Sequence, residues 1–124
     1  MVGVRYIVDS VEAALPFYVD QLGFKLEMHP GPGFALLSKG DLKLFLNQPG
    51  AGGAGASSST GEAPKPGGWN RFQFTVEELD GVVAKLRGAG AKFRTDIVVG
   101  NGGRQALVED PSGNLVELFE PKAR

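Results

Sequence analysis

The sequence of 124 residues contains no cysteine and one histidine, and neither sign of charge dominates. The missing cysteine excludes disulfides, thiolate nucleophiles and cysteine-ligated metals. The net charge is −1, so no basic surface for nucleic acid or anionic lipid is expected. No apolar run approaches the roughly 18 residues of a membrane helix, and the first residues lack a secretory-signal pattern. We therefore expect a cytoplasmic protein that binds neither nucleic acid nor membranes.

Glycine, by contrast, is abundant, with 19 residues, and many of them lie in one segment. Residues 48–68 read QPGAGGAGASSSTGEAPKPGG. Such a composition fills no core and is typical of a flexible linker. The segment divides the chain into similar parts. We therefore predict one domain with a first module at residues 1–47, the linker at 48–68 and a second module at 69–124.

The two parts resemble each other in sequence. Residues 6–15 align with residues 74–83, 68 positions later, and residues 40–42 align with residues 113–115, 73 positions later. Each part reads as a strand, an amphipathic helix and three short strands. Strands are expected at about 4–8, 24–29, 34–38, 42–47, 72–76, 92–99, 104–109 and 115–120. The predicted fold class is α+β, with two βαβββ modules that form curved mixed sheets around a cleft. Pro16 should kink the first helix.

Alternation along the strands separates two faces of the predicted sheet in the second module. Phe72, Phe74 and Val76 share the face expected to pack beneath the helix. Arg71, Gln73 and Thr75 point the other way. In the last strand, Leu115, Glu117 and Phe119 share one face. A face that mixes Arg, Gln, Glu and aromatic residues either lines a cavity or meets water.

The chain resembles the glyoxalase / bleomycin-resistance / extradiol-dioxygenase superfamily, also called vicinal oxygen chelate proteins. The strings that carry this resemblance are FYVDQLGF at residues 17–24, VEEL at 76–79, GAGA at 88–91 and EDPSGNLVEL at 109–118. The resemblance covers almost the whole chain except the linker. It implies that each sheet curls into a half-open barrel, that the concave faces form a ligand cleft, and that the protein is a homodimer.

The resemblance also implies four metal ligands, one from the first strand and one from the last strand of each module. Carried over residue by residue, these positions are Gly3, Leu44, Arg71 and Glu117. Of the four, only Glu117 offers a donor, since a guanidinium has no free lone pair. A divalent ion needs three or four protein donors. The family's metal site is therefore predicted to be absent, and no cofactor is expected.

Arg71 and Glu117 are predicted to pair where the ion would sit, because a facing guanidinium and carboxylate satisfy each other. The alternative is that both point to solvent at the rim. Arg5, at the repeat equivalent of Gln73, either adds a second positive group or is a solvated residue of the sheet edge. The predicted ligand-binding residues are Arg71, Glu117, Arg5, Gln73, Trp69 and Phe119.

Aromatic residues near these charges suit a flat, partly anionic or polar organic ligand. For Trp69, a role as a cavity wall or lid and the absence of such a role both stay open, and Phe34 and Phe119 add aromatic surface. For Phe45, which alternates with Leu44, packing in the core is favoured. His29 precedes a proline at a strand end, so a solvent-facing turn residue is favoured over a ligand or general base.

Three functions compete at this point. The first is a metal-free binding protein of the bleomycin-resistance type that sequesters a small molecule. The second is an enzyme of the same superfamily (a lyase, isomerase or dioxygenase) with an unconventional metal site or acid–base work by Arg71 and Glu117. The third is a module that binds a protein partner and has lost its cavity. The sequence assigns no catalytic residue.

Overall fold

The computed structural model describes residues 2–123. It divides into two compact units, one up to Gly67 and one from Gly68 onward. Each unit holds one mixed sheet and one main helical segment, which confirms the predicted α+β class. Within the described residues, no helix is long and apolar enough to cross a membrane.

The first unit has four strands and a two-part helix. Its elements are β1 (Gly3–Ile7), α1 (Val11–Leu15), a π-helical segment (Pro16–Gln21), β2 (Lys25–Gly31), β3 (Phe34–Lys39) and β4 (Leu42–Asn47). The sheet order is β1-β4-β3-β2, with β1 parallel to β4 and the other pairs antiparallel. A parallel pair requires a crossover connection, which the helix and the next two strands supply.

The first helix changes its hydrogen-bonding pattern at the proline. The Ser10 side chain caps the helix by accepting from the Ala13 amide at 3.1 Å. Pro16 has no N–H to continue the α-helical ladder, and the π-helical segment begins there. The Leu22 amide then donates to the Phe17 carbonyl at 3.0 Å, five residues back. The interruption expected at Pro16 therefore takes the form of a π-helical segment.

The second unit repeats this arrangement with more strands. Its elements are β5 (Arg71–Thr75), α2 (Leu79–Gly88), β6 (Lys92–Phe93), β7 (Val98–Val99), β8 (Gly103–Glu109) and β9 (Leu115–Pro121). The sheet order is β5-β9-β8-β6, β7 also pairs with β8, and β5 is parallel to β9. The Glu78 carboxylate caps α2 by accepting from the Gly81 amide at 3.0 Å.

The strand expected at residues 92–99 is split into β6 and β7. Between them, the Arg94 amide donates to the Leu107 carbonyl at 2.9 Å, and the Leu107 amide donates to the Thr95 hydroxyl at 3.2 Å. A side chain thus replaces a backbone acceptor in the ladder. Strand pairing stops there and resumes at β7.

One face of each sheet carries the core. In the second unit, Ala106, Val108, Val116 and Leu118 are fully buried together with Leu79 of α2. In the first unit, Ala35, Leu37, Leu44 and Leu46 are fully buried together with Val11 and Ala14 of α1. The opposite face of each sheet, turned away from these residues, is called the site face below.

Candidate functional site

The site face of the second unit carries the polar residues singled out in the sequence. Strand pairing places Arg71 opposite Leu115, Gln73 opposite Glu117 and Thr75 opposite Phe119. Because β5 and β9 are parallel and in register, paired residues point to the same side of the sheet. Four predicted ligand-binding residues therefore share this face: Arg71, Gln73, Glu117 and Phe119.

Arg71, Gln73 and Glu117 form one hydrogen-bonded group. Arg71 Nε donates to Glu117 Oε1 at 3.0 Å, and Gln73 Nε2 donates to Glu117 Oε2 at 2.5 Å. The Glu117 side chain is 9% exposed and that of Arg71 is 30% exposed. Both carboxylate oxygens are thus engaged, and the buried negative charge lies beside a positive one. The ion pair predicted from the sequence is present, whereas its role in ligand binding stays a prediction.

Trp69 lies beside this group and is held by a residue that the sequence analysis missed. The Trp69 carbonyl accepts from Arg71 Nη1 at 3.3 Å, and the Trp69 residue is 63% exposed. The Arg94 guanidinium lies 4.6 Å from the ring centroid. Arg94 also donates to the carbonyls of Gly68 and Gly113 and to Glu109 Oε2. Arg94 thus holds residues 68–69, which lead into β5. No periodicity in the sequence indicated this role for Arg94.

Phe119 is half-buried, two residues beyond Glu117 on β9. It pairs with Thr75 on one side and with Gln105 on the other. Its ring tip lies 3.8 Å from the point that a Cβ would occupy at Gly102. The β7–β8 connection therefore packs close to an aromatic residue of the site face.

The first unit presents an aromatic cluster at the equivalent place. Arg5 pairs with Phe45 across β1 and β4, just as Gln73 pairs with Glu117. The Arg5 guanidinium lies 4.8 Å from the Phe45 ring centroid and donates to Asn47 Oδ1 at 2.7 Å. Phe34 stacks on Phe45 with centroids 6.4 Å apart and an interplanar angle of 23°.

This register corrects two sequence predictions. Leu44, carried over as a metal-ligand position, is fully buried on the core face, and Phe45 occupies the position equivalent to Glu117. Phe45, expected in the core, is half-buried on the site face. The alignment erred by one residue, and a shift of one residue in a strand exchanges its two faces.

With this correction, the four positions at which the resemblance implies metal ligands are Gly3, Phe45, Arg71 and Glu117. A Cβ at Gly3 would lie 2.5 Å from Phe45 Cε2, so the ring covers the glycine. The one carboxylate among them is bonded to Arg71 and Gln73 through both oxygens. In the described part of the chain, no three His, Cys, Asp or Glu side chains gather as a metal-binding group. The residues at these positions do not fit a divalent metal, which needs at least three such donors.

His29 has a structural environment rather than the solvent-facing turn position that was favoured. It lies in β2, and its side chain is 21% exposed. Nδ1 donates to the Phe34 carbonyl at 2.8 Å, and Nε2 lies 2.8 Å from Glu12 Oε1. The Glu12 carboxylate and then the Phe34 carbonyl raise the pKa of His29, since both accept protons carried by the imidazolium. His29 thus joins the first helix to the β2–β3 hairpin.

An ionic group on the core face of the second unit links α2 to the sheet. Arg104 Nη2 lies 2.8 Å from Asp80 Oδ2 and 3.0 Å from Glu120 Oε2. The Leu79 amide donates to Glu120 Oε1 at 2.9 Å. The Arg104 guanidinium lowers the pKa of Asp80, while the Leu79 amide and then Arg104 lower that of Glu120. A cavity of about 270 Å³ lies beside Arg104 and Glu120, with Val99, Gly103 and Pro121 among its walls.

The turn after β8 is shaped by an aspartate. Asp110 Oδ1 accepts from the amides of Ser112 and Asn114, both at 2.9 Å, and Oδ2 accepts from Asn114 Nδ2 at 3.1 Å. Asp110 and Asn114 are both 4% exposed. The Asp110 side chain therefore stabilises the turn between β8 and β9 through its own hydrogen bonds.

A sequence model of the Glyoxalase/Bleomycin resistance protein/Dioxygenase superfamily matches residues 2–118. The chain belongs to this superfamily. Among curated proteins, none matches the sequence significantly.

Solved structures show the same fold. TnmS3, an antibiotic binding protein from Streptomyces sp. CB03234, is 27% identical with a TM-score of 0.73, covering 97% of this chain and 93% of its own. Lactoylglutathione lyase from Agrobacterium tumefaciens is 20% identical with a TM-score of 0.74, covering 97% and 92%. TioX from Micromonospora sp. ML1 is 21% identical with a TM-score of 0.76, covering 98% of each chain. The last two similarities establish the fold alone.

Proposed function

We propose that this protein binds and sequesters a flat organic ligand, aromatic or polar, without a metal ion. The observation that carries the proposal is the engagement of both Glu117 oxygens by Arg71 and Gln73. A carboxylate in this state is a poor metal ligand, because binding an ion beside it would place a second cation against the Arg71 guanidinium. The similarity to TnmS3, an antibiotic binding protein, supports the same proposal.

The chemistry of the site faces suggests how a ligand would be held. Arg71 uses Nε and Nη1 for its bonds, which leaves Nη2, among the residues described, to donate to an oxygen of a ligand. Trp69 and Phe119 offer ring surfaces in the second unit, and Phe34 and Phe45 separately offer them in the first unit. Aromatic plates with few polar anchors favour flat, partly polar molecules. Homodimerisation and a cytoplasmic location are proposed alongside, as the resemblance and the composition imply.

The experiment is a thermal-shift screen against hydrophobic antibiotics and small carbonyl compounds, with and without EDTA. A ligand that binds only the folded state raises Tm, and EDTA should leave the rise unchanged. Titration of the best ligand should show about tenfold weaker binding for Arg71→Gln, the loss expected from one charged hydrogen bond. Arg87→Gln is the matched control, because Arg87 lies on α2 and pairs with the exposed Asp96.

The result also tests the enzyme alternative. Ligand recovered after incubation should be unchanged in mass and in NMR spectrum, whereas a lyase or dioxygenase would change both and an isomerase would change the spectrum alone. Binding that requires added Ni, Zn, Fe or Mn would contradict the proposal. Equal affinities for wild type and Arg71→Gln would remove Arg71 from the binding site while leaving sequestration itself intact.

A further inference from the structure

Asn47 connects Arg5 to the glycine-rich segment. It lies at the end of β4 and is 3% exposed. Its Oδ1 accepts from Arg5 Nη1 at 2.7 Å, and its Nδ2 donates to the Ala51 carbonyl at 3.3 Å. Its own carbonyl accepts from the Val8 amide at 2.9 Å. One buried amide side chain therefore bonds to the site face at one end and to the segment at the other.

The first part of that segment, residues 48–56, is folded and is called the strap here. Inside it, Gly50 donates to the Gly55 carbonyl at 2.6 Å, and Gly55 donates to the Ala51 carbonyl at 3.0 Å. Gly55 is buried, and a Cβ there would collide with the Gln48 carbonyl oxygen and with Ala51. Glycine is therefore needed at position 55 for close packing and not for flexibility alone.

The strap is also fixed to the first unit at several points. The Gln48 amide donates to the Gly33 carbonyl at 2.9 Å, and Gln48 Oε1 accepts from the Val11 amide at 3.0 Å. A Cβ at Gly33 would lie 2.5 Å from the Ala51 Cβ, so the β2–β3 turn lies directly against the strap. The hydrogen bonds described for residues 57–66, by contrast, are local ones among Ser58, Thr60, Gly61 and Glu62.

We propose that the strap positions the Arg5 guanidinium through Asn47, so that Asn47 and Ala51 help to select the ligand on the site face of the first unit. The contacts support this sequence of effects: Ala51 orients the Asn47 amide, and the amide holds Arg5 over Phe45. Only the ligand-selecting role rests on the proposed function. The positioning of Arg5 can be tested without any ligand.

The first experiment replaces residues 49–56 by (Gly-Ser)4, and its matched control replaces residues 57–64 by the same sequence. Amide hydrogen exchange of the wild type should show Gly50 and Gly55 exchanging at least about tenfold more slowly than unbonded amides of the segment. The NMR signal of the Arg5 Nε–H, which the Phe45 ring shifts, should move toward the random-coil position in the 49–56 variant. The 57–64 variant should leave it unchanged.

The second experiment uses Asn47 itself and remains informative if the strap replacement does not fold. Asn47→Asp keeps an acceptor for Arg5 but loses the donor to Ala51, and Asn47→Leu loses both. The Arg5 signal should move in Asn47→Asp, which has lost its bond to the strap, and should move further in Asn47→Leu. Fast, uniform exchange across residues 49–62, or an Arg5 signal that stays at its wild-type position in Asn47→Asp, would overturn the proposal. An intact strap in a protein that binds no small molecule would leave the positioning of Arg5 standing, while refuting the proposed function and the ligand-selecting role with it.

Discussion

The two modules carry opposite kinds of residue where the start of the first strand contacts the last strand. In the first, a glycine on β1 is covered by the ring of Phe45 on β4. In the second, Arg71 on β5 forms an ion pair with Glu117 on β9. The middle residue of the first strand contacts the last strand in both cases: Arg5 lies over Phe45, and Gln73 donates to Glu117. The same fold thus holds an aromatic contact, Phe45 against Gly3, in the first module and an ion pair, Arg71 with Glu117, at the equivalent positions of the second.

The comparison shows two arrangements of residues that do not fit a divalent metal ion at these positions. In the first module, Gly3 and Phe45 offer no side-chain donor to a metal ion, and the Phe45 ring covers the glycine. A guanidinium beside the surviving carboxylate supplies a positive charge from the chain itself, which opposes the binding of another cation. Both arrangements leave the site faces rich in groups that bind organic molecules, namely rings and N–H donors.

The modules also differ in how the helix is joined to the sheet. Glu12 of the first helix contacts His29, whose charge depends on pH near neutrality. Asp80 of α2 contacts Arg104, which stays charged throughout that range. The predictions below probe these differences.

The largest effect on the free energy of unfolding is expected when the Arg71–Glu117 ion pair is broken. Glu117→Gln, Arg71→Met and the double variant form a double-mutant cycle whose coupling free energy should be about 1–2 kcal/mol. The value lies below that of a fully buried pair because the Arg71 side chain is 30% exposed. Urea unfolding of the four proteins gives the measurement.

The control for this cycle is the Arg87–Asp96 pair, in which the Asp96 side chain is 95% exposed. Arg87→Met, Asp96→Asn and their double variant should show a coupling of no more than about 0.5 kcal/mol. Equal coupling in the two cycles would mean that the Arg71–Glu117 contact behaves as an ordinary surface ion pair.

A smaller effect on the free energy of unfolding is expected when the contact between Phe45 and Gly3 is disturbed. Gly3→Ala should destabilise the protein by about 1 kcal/mol, because its Cβ forces the Phe45 ring to move. Gly31→Ala is the matched control, since among the described residues other than its two chain neighbours no atom lies within 4 Å of its Cβ position. A fluorescence or circular-dichroism urea titration measures both variants. If Gly3→Ala is as stable as Gly31→Ala, the ring does not depend on the glycine.

The smallest effect is the pH dependence of the His29 contact. Because the folded-state pKa of His29 is raised, its contribution is fully present below the unfolded value of 6.5 and is lost as pH rises through the folded pKa. The loss should be about 0.2–1 kcal/mol, the range of exposed ion pairs. The difference in unfolding free energy between wild type and Glu12→Gln should therefore shrink from pH 6 to pH 9.

The second module provides the opposite case. The pKa values of Asp80 and Glu120 are lowered, so their contributions are present above the unfolded values and are lost as pH falls through the folded ones. The stability difference between wild type and Arg104→Gln should therefore be constant from pH 6 to pH 9 and shrink only in acid. A neutral-pH dependence in Arg104→Gln would contradict the assignment of these contacts.

Sequence reasoning predicted the fold because hydrophobic periodicity and turn residues act locally. The alternation of residues 71–75 and the helical spacing of Leu79, Val83 and Leu86 reflect burial directly. The Arg71–Glu117 pair was predicted from the same alternation, because alternation shows which side chains of two neighbouring strands lie on the same face of the sheet.

The error at Leu44 arose where the length of a turn sets the register of the following strand. Residues 40–42 resemble residues 113–115, but the β3–β4 turn joins Lys39 to a paired Leu42, whereas Glu109 pairs with Leu115 across a longer turn. The similar residues therefore occupy different positions in the two turns. For this reason Leu44, and not Phe45, was predicted as the equivalent of Glu117. His29, Asn47 and Arg94 form contacts between segments distant in the chain, which no local pattern encodes.

The central claim is that internal groups replace the family's metal ion. Its most direct test is elemental analysis of the purified protein after incubation with Zn, Ni and Mn and dialysis, in parallel with Glu117→Gln. We expect far less than one metal ion per chain and equal amounts in the two proteins. One equivalent of metal in the wild type that disappears in Glu117→Gln would contradict the claim.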